Sequence, residues 1–371
     1  MLRWEWSQRV IVNERVVYVE WHEEPSFKWC QHHHLLLFNI PNENIHSLTQ
    51  LLKLAHQVEN TSNQLQTSYM LCFAIKTQRN RASAVGLIVA WQMLFHQVSA
   101  LDAYKPFTHL NIRPLFDPNS TYSLSVLDRL NSLEKAITLG FVSSNMDISD
   151  FQQFSWPCKK IAVFTAPESL TPLVPYFQKN KTSVVILLER PLYVLDYSLG
   201  FDIIDMTCDG ETWDSLFTRF LEAIDSSVGT VAVQYTTKFN RCQLCLGGYL
   251  VRVLNFTARE AIAWLRLLQP GSLSAHNPHI LENWGKSLSP NSENLNEPHL
   301  KLNIGSVTLS TSFFGKENSK KSYRDPYERL KQTTSLDITP NLNSCDDLDL
   351  VYHLVPRVNS TQQRERSRLR V

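Results

Sequence analysis

The sequence predicts an α/β protein made of two similar modules in tandem, followed by a long unpatterned tail. Three observations carry that expectation: strand-like and helix-like segments alternate along the chain, the second half repeats the theme of the first, and beyond about Leu288 the composition shifts to Ser, Asn, Thr and Lys.

In the first module Arg9 to Val19, Leu35 to Ile40 and Tyr69 to Ile75 read as strands, the first broken near Asn13, because β-branched and aromatic residues gather there. Apolar residues at helical spacing predict helices over Ile45 to Val58, Ala82 to Val98, Ser99 to Phe107 and Ser123 to Leu139. A less patterned span, Val142 to Trp156, follows. The second module places strands at Ile161 to Thr165, Ser183 to Glu189, Phe201 to Met206 and Thr230 to Gln234, with helices between and after them. The domains expected are therefore 1–141 and 157–288, joined by a linker at 142–156. The tail, 289–371, is expected to be disordered, since its composition offers little to bury.

Composition excludes several classes of function. The chain has 371 residues and 43% hydrophobic content, enough for two cores and something more. With 36 Lys+Arg against 35 Asp+Glu, no whole-chain field favours nucleic acid or a membrane surface. The opening Met1-Leu-Arg-Trp-Glu-Trp carries charge where a signal peptide is apolar, and no apolar run is long enough to span a bilayer, so neither secretion nor a membrane partner is expected. Seven cysteines, scattered and odd in number, fit reduced thiols in a cytosolic or nuclear protein.

Metal and cofactor sites are not expected. Cys242 and Cys245 form a CxxC that in isolation suggests redox chemistry or half a zinc site, yet a second ligand pair is missing at useful spacing, which favours two buried thiols. The run Gln31-His-His-His34 cannot turn three adjacent side chains toward one ion from a regular strand, and reads as a surface bend before Leu35.

The most telling stretch is Val231-Ala-Val-Gln-Tyr-Thr-Thr-Lys-Phe-Asn-Arg-Cys242. A buried-looking strand runs into a short polar loop ending at Arg241, and a helical pattern follows from Leu244. This order resembles the phosphate-binding loop of cysteine-dependent phosphatases, His-Cys-x-x-Gly-x-x-Arg, in which a thiolate attacks phosphorus while backbone N–H groups and the Arg fork hold the oxygens. Here Gln234 and Tyr235 stand where His and Cys belong.

Longer matches give the resemblance a family. Ala258-Arg-Glu-Ala-Ile-Ala-Trp-Leu-Arg266 and Gln269-Pro-Gly-Ser272 are similar to "EAIAWIRICRPGS" of the cell division cycle fourteen family of dual-specificity phosphatases. Gln78-Arg-Asn-Arg-Ala-Ser-Ala-Val-Gly-Leu-Ile88 resembles that family's "QRKRANAAFLIGAY", and Pro114 to Tyr122 with Leu124 to Asp128 resembles "PFRDASFGNCTYNLTILD". The resemblance covers roughly Arg9 to Leu288. It implies two tandem domains of the cysteine phosphatase fold, the first noncatalytic, the second catalytic, with a substrate groove between them.

Carried over position by position, the resemblance assigns Arg241 to the phosphate clamp and Asp209, in Cys208-Asp-Gly210, to the general acid. Tyr235 falls on the nucleophile, and a phenol with an ordinary pKa near 10 is neutral at working pH and too bulky for that position. Lys238 and Asn240 fall on glycines that let the backbone approach phosphate, Cys242 on a hydroxyl residue, and Asn277 with Pro278 on a Gln pair that positions water. No other cysteine has an Arg six residues on. The family's acidic groove draws on its linker, and in Met146-Asp-Ile-Ser-Asp-Phe-Gln-Gln-Phe-Ser-Trp156 only Asp147 and Asp150 answer to it, Gln152 replacing a Glu.

A fold kept and a site dismantled imply a catalytically inactive relative, a scaffold or phosphoprotein-binding module whose partners are phosphoproteins or cell-cycle proteins. The family's places of action would be nucleus and cytoplasm, with centrosome or spindle. Two alternatives stand beside it. One is an active protein phosphatase resting on Asp209 and Arg241; the other is an interaction protein whose tail, through Arg364, Arg366, Arg368 and Arg370, contacts nucleic acid.

Overall fold

Val16, Val17, Tyr18 and Val19 are fully buried, and their burial on both faces makes β2 (Val16–Trp21) an inner strand of a four-stranded sheet. A computed structural model of the chain describes residues 6–21, 30, 34–38, 40, 45, 47–66, 68–75, 78–115, 122–146, 154–165, 169–190, 200–207, 212–235, 241–273 and 277–288. These form two compact units. Of the described residues, one takes in those up to Ile45 and Gln50–Arg113, the other those within His46–Thr49 and from Pro114 to Leu288.

The first unit's sheet runs β1-β2-β4-β3. Strand β1 (Trp6–Asn13) pairs antiparallel with β2, while β4 (Met70–Ile75) lies parallel to both β2 and β3 (Leu35–Phe38). The break expected near Asn13 is a side-chain-closed turn: Asn13 Oδ1 accepts from the N–H groups of Arg15 at 2.9 Å and Val16 at 2.8 Å. His34 adopts a positive φ of 52° immediately before β3, the bend expected there; residues 31–33 lie outside the described residues.

Helix α1 (Leu48–Gln64) runs six residues past its expected end. Its polar last turns have no apolar stripe to read, and they are tied down from outside. Trp91 Nε1 donates to Glu59 Oε2 at 2.8 Å, and Arg15 Nη1 donates to the Ser62 carbonyl at 3.1 Å. Helices α2 (Gln78–His96) and α3 (Ala100–Tyr104) follow in this unit. Ser99 caps α3, its Oγ accepting from the Asp102 N–H, and a short 3₁₀ turn, Lys105–Phe107, follows.

The second unit's five-stranded sheet has the order β5-β6-β9-β7-β8. Strands β6 (Ile161–Thr165), β9 (Thr230–Tyr235), β7 (Thr182–Leu187) and β8 (Asp202–Asp205) are parallel, and β5 (Ser155–Cys158) is an antiparallel edge. Sequence patterning missed β5 because Pro157 sits inside it. An edge strand tolerates the missing N–H, and the Pro157 carbonyl accepts from Trp264 Nε1 at 2.9 Å. The expected strands at Ser183 to Glu189 and Phe201 to Met206 end earlier, at Leu187 and Asp205.

Helices of this unit are α4 (Val126–Thr138), α5 (Val174–Lys179), α6 (Trp213–Ser226), α7 (Arg241–Arg252), α8 (Ala258–Leu268) and α9 (Asn277–Leu288). Capping boxes open α4, from Ser125 and Asp128, and α8, from Thr257 and Glu260. The Asp128 carboxylate then receives a bidentate pair from Arg259, Nε at 3.1 Å and Nη2 at 2.8 Å, which locks α4 to α8. That packing groups Pro114 to Leu139 with the second unit, whereas the sequence reading drew the first domain to residue 141.

Gly247 and Gly248 weaken α7 intrinsically but admit its neighbours. A Cβ on Gly247 would lie 2.6 Å from Leu281 Cδ2 of α9, and one on Gly248 would meet Phe217 of α6 and Trp284 of α9 at 2.8 Å.

Candidate functional site

Strand β9 has parallel neighbours on both sides, β6 and β7, and Val231 to Val233 are fully buried. The crevice beyond the carboxyl ends of such strands is where open α/β sheets hold ligands. Here β9 ends at Tyr235, and the next described residue, Arg241, is the first of α7. The expected strand and helix therefore flank residues 236–240, which lie outside the described residues, and the helix starts three residues earlier than its apolar pattern indicated. Arg241 is half-buried and is the first residue of a 12-residue helix, whose N-terminal dipole favours an anion.

The thiols near this helix start are not poised to react. Cys242 and Cys245 are fully buried on α7. Burial first, then Cys245 and Glu189, push the Cys242 thiol well above its ordinary range. Cys30, Cys72 and Cys158 are buried too, and burial raises Cys158 to about 11.

Sequence reasoning overlooked Glu189, taking it only for a strand end. It lies two residues past β7, and Gln234 Nε2 on β9 donates to its backbone carbonyl at 3.4 Å. The residue is 7% exposed, and neither carboxylate oxygen has a hydrogen-bond partner among the described residues. Burial raises its pKa to about 7, opposed by the charge of Arg241. A single acid closing the apolar run Val184 to Leu188 at the carboxyl end of a parallel strand was the available signal.

A rigid frame stands behind α7. Gln243 Oε1 accepts from the Leu273 N–H at 2.5 Å, and Arg266 donates to the carbonyls of Ser272, Leu273 and Tyr122 at 3.2, 3.1 and 3.0 Å. The Gln269-Pro-Gly-Ser272 turn, with Gly271 at φ 83°, is thus held between α7 and α8. Asn277 and Pro278 open α9. Asp209, Asp147, Asp150, Lys238 and Asn240, and the arginines of the tail, lie outside the described residues. Among the described residues no cluster of His, Cys, Asp and Glu could hold a metal ion, and no helix is long and apolar enough to cross a membrane.

Known proteins match this framework along most of its length. Residues 44–136 match the family described as dual specificity protein phosphatase, N-terminal half. Dual specificity protein phosphatase CDC14AB of Danio rerio is 29% identical over 279 residues, covering 64% of this chain and 46% of its own. Dual specificity protein phosphatase CDC14A of Homo sapiens is 29% identical over 244 residues, covering 57% and 41%, and the tyrosine-protein phosphatase cdc-14 of Caenorhabditis elegans 25% over 235, covering 54% and 33%. The chain thus spans less than half the length of these relatives.

Among solved structures, a protein tyrosine phosphatase of Leishmania major aligns at 21% identity and TM-score 0.26, covering 33% of this chain and 85% of its own. Tk-PTP in its active form aligns at 15% identity and TM-score 0.31, covering 37% and 97%. With a strand ending at Tyr235, a helix starting at Arg241 and two α/β units, the chain is similar to the CDC14 dual-specificity phosphatases.

Proposed function

We propose that this chain has kept the family's fold and given up hydrolysis, and that it works as a scaffold that holds phosphoproteins without dephosphorylating them. One observation carries the reading: β9 ends at Tyr235, the residue that the family resemblance sets at the nucleophile's position, while Cys242 near the start of α7 is fully buried. A phosphatase of this kind needs a thiolate at the mouth of the loop, and a buried thiol whose pKa is pushed up cannot supply one. Arg241 at the helix start supports retention of the other half of the site, the part that binds.

A phosphoserine-proline peptide is expected to bind more tightly than its unphosphorylated form, by about tenfold, the scale of one charge-assisted contact. Arg241→Ala is expected to abolish that preference. Titration calorimetry reads both, and binding indifferent to the phosphate and to Arg241 would count against the phosphoprotein reading.

A further inference from the structure

An oxyanion site is made of donors, and the N-terminus of α7 with Arg241 supplies them. Glu189 departs from that pattern. An ionised carboxylate only accepts hydrogen bonds, and this one is nine-tenths buried, without a hydrogen-bond partner among the described residues, and close enough to Arg241 and Cys242 to act on both electrostatically. A buried polar group left unpaired costs stability, so its retention points to a ligand that completes it.

We propose that Glu189 selects what this site accepts: protonated, it donates a hydrogen bond to a phosphate- or sulfate-type oxyanion held by Arg241, and ionised, it excludes that anion. The inference rests on the reading of the loop as a site that binds without hydrolysing. The groups around Glu189 agree with it. From α7 come the Arg241 guanidinium and the Cys242 thiol, which stays protonated; from β9 comes the neutral amide of Gln234. Arg190, the next residue, is exposed, as are Asp202 and Asp205 of β8, the latter accepting from the Thr207 N–H at 2.9 Å. Among the described residues here, Glu189 is the group that burial has brought to about 7, so its charge changes near neutral pH.

Sulfate is the probe, because it stays a dianion from pH 5.5 to pH 8. At pH 8 about one tenth of such a carboxyl is protonated, so the full chain should bind sulfate about tenfold more weakly than at pH 5.5. Glu189→Gln keeps a donor at every pH. It should bind equally at both, with the affinity of the unaltered protein at pH 5.5, and Arg241→Ala should lose binding at both. A ratio below about twofold in the unaltered protein, the same ratio in Glu189→Gln, or no sulfate bound at pH 5.5 would each overturn the proposal. Turnover of an aryl phosphate, measured separately, would remove the non-hydrolytic reading while leaving the sulfate result to stand or fall alone.

Discussion

Tyr235→Cys is expected to leave aryl phosphate hydrolysis at the background of the unaltered protein, roughly a millionfold below a working enzyme, the scale on which hydrolases suffer when their nucleophile is removed. The substitution returns a sulfur but not its surroundings. The family resemblance puts Lys238 and Asn240 where glycines let the backbone wrap phosphate, and it puts Cys242 where a hydroxyl assists the thiolate. Glu189, when ionised, adds a buried carboxylate near the guanidinium, which disfavours a second negative group, thiolate or phosphate alike. Single-turnover kinetics on the variant checks this. A rate even a thousandfold above background would mean that the loop keeps its working shape.

Arg81→Ala is expected to destabilise the first unit by about 3–5 kcal/mol, the usual cost of stranding one member of a buried ion pair. Arg81 Nη2 donates to Glu20 Oε2 at 2.7 Å, both side chains are only 10% exposed, and Tyr18 Oη donates to the other oxygen at 2.6 Å. Burial, then the bond to Glu20, holds the Tyr18 phenol far above its ordinary range, so it stays a donor. Arg81 Nη1 also donates to the Asn111 carbonyl at 2.7 Å, tying α2 to the chain beyond α3. Urea unfolding of the full chain, with hydrogen exchange at the amides of β2 and β4 to assign the transition, reads the loss. Replacing the pair together by Glu20→Gln and Arg81→Met should recover most of it, and a loss under about 1 kcal/mol for Arg81→Ala alone would refute the account of the network.

Elements with a clear period were legible in the sequence, and elements shaped by their neighbours were not. The buried run Val231 to Val233 announced a central strand, and Ala258 to Leu268 a helix, because burial writes itself into hydrophobic pattern. Strand β5 did not, since Pro157 is acceptable only at a sheet edge that sequence cannot identify. The far end of α1 was hidden for a related reason: Glu59 and Ser62 are fixed by Trp91 and Arg15, distant in sequence. The site divides in the same way. Tyr235 and Arg241 were legible as candidates because a strand pattern and a helical pattern flank them in the sequence, whereas Glu189 stands out through burial and through what lies across the sheet from it, neither of which a linear motif records.

The most direct test is the initial rate of aryl phosphate hydrolysis by the purified full chain, set beside its Arg241→Ala variant and buffer alone. A kept fold with a dismantled site predicts three indistinguishable rates. Hydrolysis by the unaltered protein that disappears in both Asp209→Asn and Arg241→Ala would contradict it, and would show that this chain still cleaves the phosphate it holds.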